Sequence, residues 1–156
     1  MSFFHTAIAA ALAAALLAAA GCDDDGGVDD PVLVYCADLI NDYRLDHGLQ
    51  PLERSAELER CASDGAFEDS QSGDPHGHFI ETSGCQGAAD AENEIPGWPL
   101  GSYESVESII EAGTEMMMNE GPGGGHFENI LGDHGSVGCG YHVTEDDAVW
   151  VVQDFK

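Results

Sequence analysis

In the stretch Asn119 to Ile130, NEGPGGGHFENI, four glycines and a proline stand between a carboxylate, Glu120, and an imidazole, His126. Both groups can exchange protons or ligate a metal, and glycine's low steric demand lets such a connector fold back until they meet. Two carboxylates held close raise one another's pKa, and a cation or a shared proton relieves the repulsion. Neutral imidazoles add nitrogen ligands suited to zinc or another transition ion. The competing reading is a hydrogen-bonded polar cluster that only organises a cleft, since seven histidines and 30 acids produce chance neighbours. The chain has no HExxH, GxSxG, P-loop or Rossmann fingerprint, so no standard catalytic motif selects an enzyme class.

Cysteine is the second reactive type. Apart from Cys22 there are four, Cys36, Cys61, Cys85 and Cys139. An even number in an exported chain implies two disulfides, and the lack of any CxxC pair argues against a structural zinc site. The non-crossing arrangement that joins neighbouring elements, Cys36–Cys61 with Cys85–Cys139, is the expectation. Chain entropy would make these worth up to roughly 3.5 and 4 kcal/mol.

Elements must hold these groups in place. Cys36, Leu39, Ile40 and Tyr43 recur at i, i+3, i+4, i+7, which predicts a helix from Val32 that stops near Asp46-His47-Gly48. Leu49 to Leu52 reads as an extended connector. Ser55 is a plausible N-cap for a second helix through about Phe67, with Leu58, Cys61 and Ala62 inward. The Gly, Ser, Asp and Pro content of residues 69–99 predicts mostly loops. A third helix is expected from about Ser102 to Met118, carrying Val106, Ile109, Ile110, Met116 and Met117 on one face and weakened by Gly113. A fourth is expected to be absent or very short. Val137, Cys139, Tyr141 and Val143 alternate with Gly138, Gly140 and His142, and Ala148 to Phe155 is a second β-rich run after a turn at residues 144–147. Helices first and an antiparallel hairpin last give the α+β class.

Charge narrows the partners. Thirty acids oppose Arg44, Arg54, Arg60 and Lys156, a net of -26. Such a field repels nucleic acid and anionic membrane surfaces and attracts cations. It also suits a salty medium, where screening tempers self-repulsion. Residues 1–21 contain the apolar run Ala7 to Ala20, 14 residues long. That is short for a membrane span but fits a secretory signal peptide, although Met1 to Thr6 contains no Lys or Arg. Ala20-Gly21-Cys22 resembles the bacterial lipobox, in which the cysteine is acylated, so Cys22 is the candidate lipid anchor. Residues 22–31, with DDDGGVDD at 23–30, read as an acidic tether, and residues 32–156 form the domain.

Five segments together resemble the CAP superfamily, the cysteine-rich secretory, antigen 5 and pathogenesis-related 1 proteins. They are Leu39-Ile-Asn-Asp-Tyr-Arg44 with His47-Gly-Leu-Gln-Pro-Leu52, Ala91-Glu-Asn93, Gly125-His-Phe-Glu-Asn-Ile-Leu131, Val137-Gly-Cys-Gly-Tyr141 and Val149-Trp-Val-Val-Gln-Asp-Phe155. The resemblance implies an α-β-α sandwich, with a small, mainly antiparallel sheet packed between helices. It also implies a cleft lined by two histidines and two glutamates. Residue by residue these fall on His76, Glu92, Glu120 and His126, with His78 and Glu94 as alternates for the first two. This chain departs from the family at Ala91, where a glycine is usual, and around Pro75-His-Gly-His-Phe79. The implied function is an exported, lipid-anchored binding module of the bacterial envelope or exterior. Its ligand would be an apolar molecule or a surface partner, its cleft could take a divalent metal such as zinc, and its only membrane contact would be the lipid. The alternative is a metal-assisted hydrolase of peptides or envelope polymers, with Glu92 or Glu120 as general base.

Overall fold

The computed structural model describes residues 30–156; the signal segment, Cys22 and residues 22–29 of the expected tether lie outside the described residues. Helix α1, Pro31–Asp46, begins where Asp30 accepts a hydrogen bond from the Val32 N–H at 2.8 Å. Pro31 occupies the first turn, where its missing N–H leaves no bond unmade. Asp30 and Pro31 therefore belong to the helix start and not to the tether, and Tyr141 Oη–H also donates to Asp30 at 3.3 Å. The stop falls at His47-Gly48, with Gly48 at a φ of 76°.

The two-residue strand β1, Glu53–Arg54, leads into α2, Ala56–Ser72, capped by Ser55. This helix runs five residues beyond the expected Phe67. Its added turn is held by tertiary contact, because buried Asp69 accepts the His78 N–H at 2.7 Å. The next segment overturns the expectation of loops: α3 spans Gly77–Gly87, broken by a kink where Ser83, Gly84, Cys85 and Gln86 are left-handed, and β2 spans Ala91–Pro99. Pro96 and Pro99 disguise β2 in the sequence, yet proline is tolerated because β2 is an edge strand with a register shift between Ile95 and Trp98. Its two buried glutamates, Glu92 and Glu94, hide it further.

Helix α4 spans Val106–Met118, starting later than Ser102 because Ser105 caps it and residues 100–102 form one separate 3-10 turn. Met117 is fully buried, whereas Met116 faces outward. A short α5, Gly125–Leu131, follows. Strands β3, Ser136–Val143, and β4, Ala148–Phe155, form the expected hairpin.

The sheet order is β1-β3-β4-β2, antiparallel except for the β1–β3 pair. Alternation along the strands gives it two different faces. Val137, Cys139, Val149, Val151 and Phe155 join Cys36, Ile40, Ile109 and Met117 in the main core under α1, α4 and α5. Val152 and Trp150 pack instead with Ala62 and Ala66 of α2. Helix α2 lies directly on the sheet because Gly138 and Gly140 lack a Cβ there; one would collide with backbone at residues 58–59 and 62–63. The result is the expected α-β-α sandwich.

The two faces also decide the disulfides. Cys36 bonds Cys139, and Cys61 bonds Cys85, which corrects the expected Cys36–Cys61 and Cys85–Cys139. Cys36 lies under the main-core face with Cys139, whereas Cys61 sits on α2, across the sheet. The observed pairing is nested and just as free of crossing as the expected one; what failed was joining sequence neighbours, because the sheet stands between them.

Candidate functional site

His76 caps the start of α3 in a left-handed conformation, φ 63°, a region uncommon for non-glycine residues. That turn aims two groups at β2: the His76 N–H donates to Glu94 Oε2 at 2.6 Å, and Nδ1–H donates to Glu92 Oε1 at 2.8 Å. Glu92 and Glu94 are two residues apart on one strand, so both carboxylates leave the same face and meet the histidine together. The candidate ligand atoms of His76, Glu92 and Glu94 all lie within 4.8 Å of one another.

Glu120 and His126 form a second pair, outside that group. His126 Nδ1 lies 2.6 Å from Glu120 Oε1, and the His126 N–H donates to Oε2 at 3.2 Å. The Gly-Pro-Gly turn between them makes this return possible, with Gly121 and Gly123 at φ 70° and 93°. Helix α5 ties this pair to β2: Asn129 Nδ2–H donates to the Glu92 carbonyl at 3.1 Å and Asn93 Nδ2–H to the His126 carbonyl at 3.3 Å. His78, the alternate to His76, points elsewhere, with Nδ1 3.0 Å from Glu68 Oε2 and Nε2 3.4 Å from Cys85 Sγ. Glu94, the alternate to Glu92, is part of the first group beside it.

Electrostatics separates the two pairs. The hydrogen bond to Glu92 raises the pKa of His76 against the opposing effect of burial. Burial pushes Glu94 up to about 7. Glu120 is exposed, and its hydrogen bond with His126 lowers its pKa.

Two acids escaped the sequence reading. Asp154 lies opposite Glu92 in the β2–β4 register, fully buried, and neither of its carboxylate oxygens has a hydrogen-bond partner. Burial and the Glu92 carboxylate push it up to about 8. Asp69, raised by burial, keeps one oxygen unpartnered. A signal for Asp154 was present: an acid interrupts the apolar run of a strand that hydropathy places at the centre of a sheet. For Asp69 no such signal exists, since α2 carries acids on several faces.

The arrangement suits a cation. His76 and His126 each have Nδ1 engaged by a carboxylate, which fixes the tautomer with the lone pair on Nε2. Glu94 Oε1 is buried without a partner beside the first pair, a position where a positive charge would offset its burial.

The family model for the cysteine-rich secretory protein family (CAP) matches residues 37–155. Among solved structures, the chain is similar to a cysteine-rich secretory protein from Staphylococcus aureus, at 18% identity and a TM-score of 0.49. The alignment covers 80% of this chain and 38% of that one, so this chain spans well under half of that protein's length. No curated protein matches the chain.

Proposed function

Since the chain belongs to the cysteine-rich secretory protein (CAP) family, we propose that it is an exported binding module whose cleft takes a divalent metal such as zinc. The observation that carries this reading is the pair of histidine–glutamate contacts made through Nδ1. His76 and His126 would hold the ion through Nε2, and Glu92 and Glu120 would orient the rings. When bound, the ion would supply a positive charge that neutralises the buried carboxylates and an open coordination position for a ligand. Phe67 on α2 and Ile80 on α3 are exposed large apolar side chains and supply contact area for an apolar ligand or surface partner.

Titration calorimetry with zinc tests the cleft. The parent protein is expected to bind one ion per chain, and His76→Ala and His126→Ala are each expected to weaken it at least tenfold. Equal binding by all three would remove both histidines from the site.

Export rests on the family, the two disulfides and residues 1–21. Among the described residues no helix is long and apolar enough to cross a membrane. Attachment to a bacterial envelope through a lipid on Cys22, with residues 22–29 as tether, is part of the same proposal. Metabolic labelling with a palmitate analogue checks it: label on the parent chain and none on Cys22→Ser is expected, and an unlabelled parent ends it.

The hydrolase alternative, with Glu92 or Glu120 as general base, requires peptide or envelope-polymer turnover that a chelator abolishes and zinc restores.

A further inference from the structure

Cys61, His78 and Cys85 form a cluster separate from both histidine–glutamate pairs, with candidate ligand atoms all within 4.8 Å of one another. In the oxidised chain the two sulfurs are bonded to each other. His78 Nε2 nevertheless lies 3.4 Å from Cys85 Sγ. Bond lengths of about 2.1 and 2.3 Å at a tetrahedral angle would set nitrogen and sulfur on one zinc roughly 3.6 Å apart. One ligand pair is therefore already spaced for a shared ion, and only the Cys61 sulfur has to swing away. On the far side of the ring, Nδ1 faces the Glu68 carboxylate at 3.0 Å. Carboxylates orient metal-binding histidines in this way, leaving Nε2 as the free nitrogen.

The two disulfides also differ in access. Cys36 and Cys139 are 0% and 1% exposed. Cys85 lines an open surface cavity of about 590 Å³ together with Glu57, Gln86 and Lys156. A small reductant reaches that bond without disturbing the core, so the Cys36–Cys139 bond can keep the domain closed while Cys61–Cys85 opens.

We propose that two-electron reduction of the Cys61–Cys85 disulfide opens a site for a thiophilic divalent cation such as zinc, held by Cys61 Sγ, Cys85 Sγ and His78 Nε2. A dithiol reductant supplies the electrons and protons: the S–S bond breaks, each sulfur takes a proton, and the dithiol becomes a disulfide. The cation then displaces both thiol protons to solvent. Two cysteines and one histidine leave the fourth tetrahedral position to water. The oxidised and reduced chains thus differ by one metal site, independent of the cleft on His76 and His126.

Cobalt(II) is the probe, because thiolate ligands give it a charge-transfer absorption that imidazoles and carboxylates do not. The full chain is treated with limiting trialkylphosphine, which with water becomes the phosphine oxide, and alkylation with mass spectrometry maps the thiols released. Cys61 and Cys85 are expected to open while Cys36 and Cys139 stay bonded. Cobalt is then expected to give the thiolate band at one ion per chain, displaced by zinc. His78→Ala should weaken binding at least tenfold, and Glu68→Gln by about ten- to a hundredfold. The proposal is overturned by a missing band. It is equally overturned by a band that survives Cys61→Ser with Cys85→Ser, or by equal affinity in the parent and His78→Ala. An unfolded reduced chain would show that last result, so loss of structure counts against the site.

Discussion

A carboxyl group as enclosed as that of Glu94 keeps its proton into the neutral range, and this makes stability depend on pH. Its pKa rises from the ordinary 4.5 to about 7 in the folded chain, so the folded state binds the proton more tightly than the unfolded one. The group's contribution is therefore fully present below pH 4.5 and is lost as pH rises toward about 7. Asp154, raised to about 8, acts in the same direction. For Glu94 the difference amounts to roughly 3 kcal/mol. In metal-free protein, the denaturant midpoint is expected to fall between about pH 5 and pH 8, and Glu94→Gln should flatten that fall. A midpoint that rises over this window contradicts the assignment. The residues in question show how far sequence reading reached. Glu92 and His126 came from matching family segments, and His76 and Glu120 from their order around those segments, because chemistry alone cannot choose among 30 acids. Asp69 lies in no such segment, and Asp154, though inside the last one, is no part of the implied histidine–glutamate set; the pairing of β2 with β4 sets Asp154 opposite Glu92, and the packing of α2 sets Asp69 against His78.

Elements with a regular apolar period were legible, and those without one were not. The face of α1, the Ser55 cap of α2 and the β3–β4 hairpin all follow from periodicity and punctuation. Helix α3 and strand β2 did not, since their inward positions carry histidine and glutamate where a core would carry aliphatic residues. The contact of α2 with the sheet is equally invisible to hydropathy, because it depends on the missing side chains of Gly138 and Gly140. Gly138→Ala sets a methyl group against the backbone at Leu58 and Glu59, where helix and strand cannot both yield. A loss of about 1–3 kcal/mol is expected in urea unfolding. Gly48→Ala is the control: its φ is 76° but nothing lies within 4 Å, so only the left-handed backbone cost of about 1 kcal/mol applies. Equal losses for the two would mean that α2 does not rest on the glycines.

At the scale of the molecule, each disulfide anchors helices on a different side of the sheet. Cys36–Cys139 closes a separation of 103 residues and Cys61–Cys85 one of 24. Chain entropy assigns them roughly 4.7 and 3.4 kcal/mol. Replacing Cys36 and Cys139 by serine should therefore destabilise the chain more than replacing Cys61 and Cys85, and the core burial of the first pair widens the gap. Denaturant titration of the two double variants decides this, and a reversed order refutes it. The order β1-β3-β4-β2 has one more consequence. The strand latest in sequence, β4, lies between β3 and β2, so nothing translated before residue 148 can join the two halves of the sheet. A chain emerging stepwise from a ribosome leaves β2 unjoined to β1 and β3 until residues 148–155 arrive.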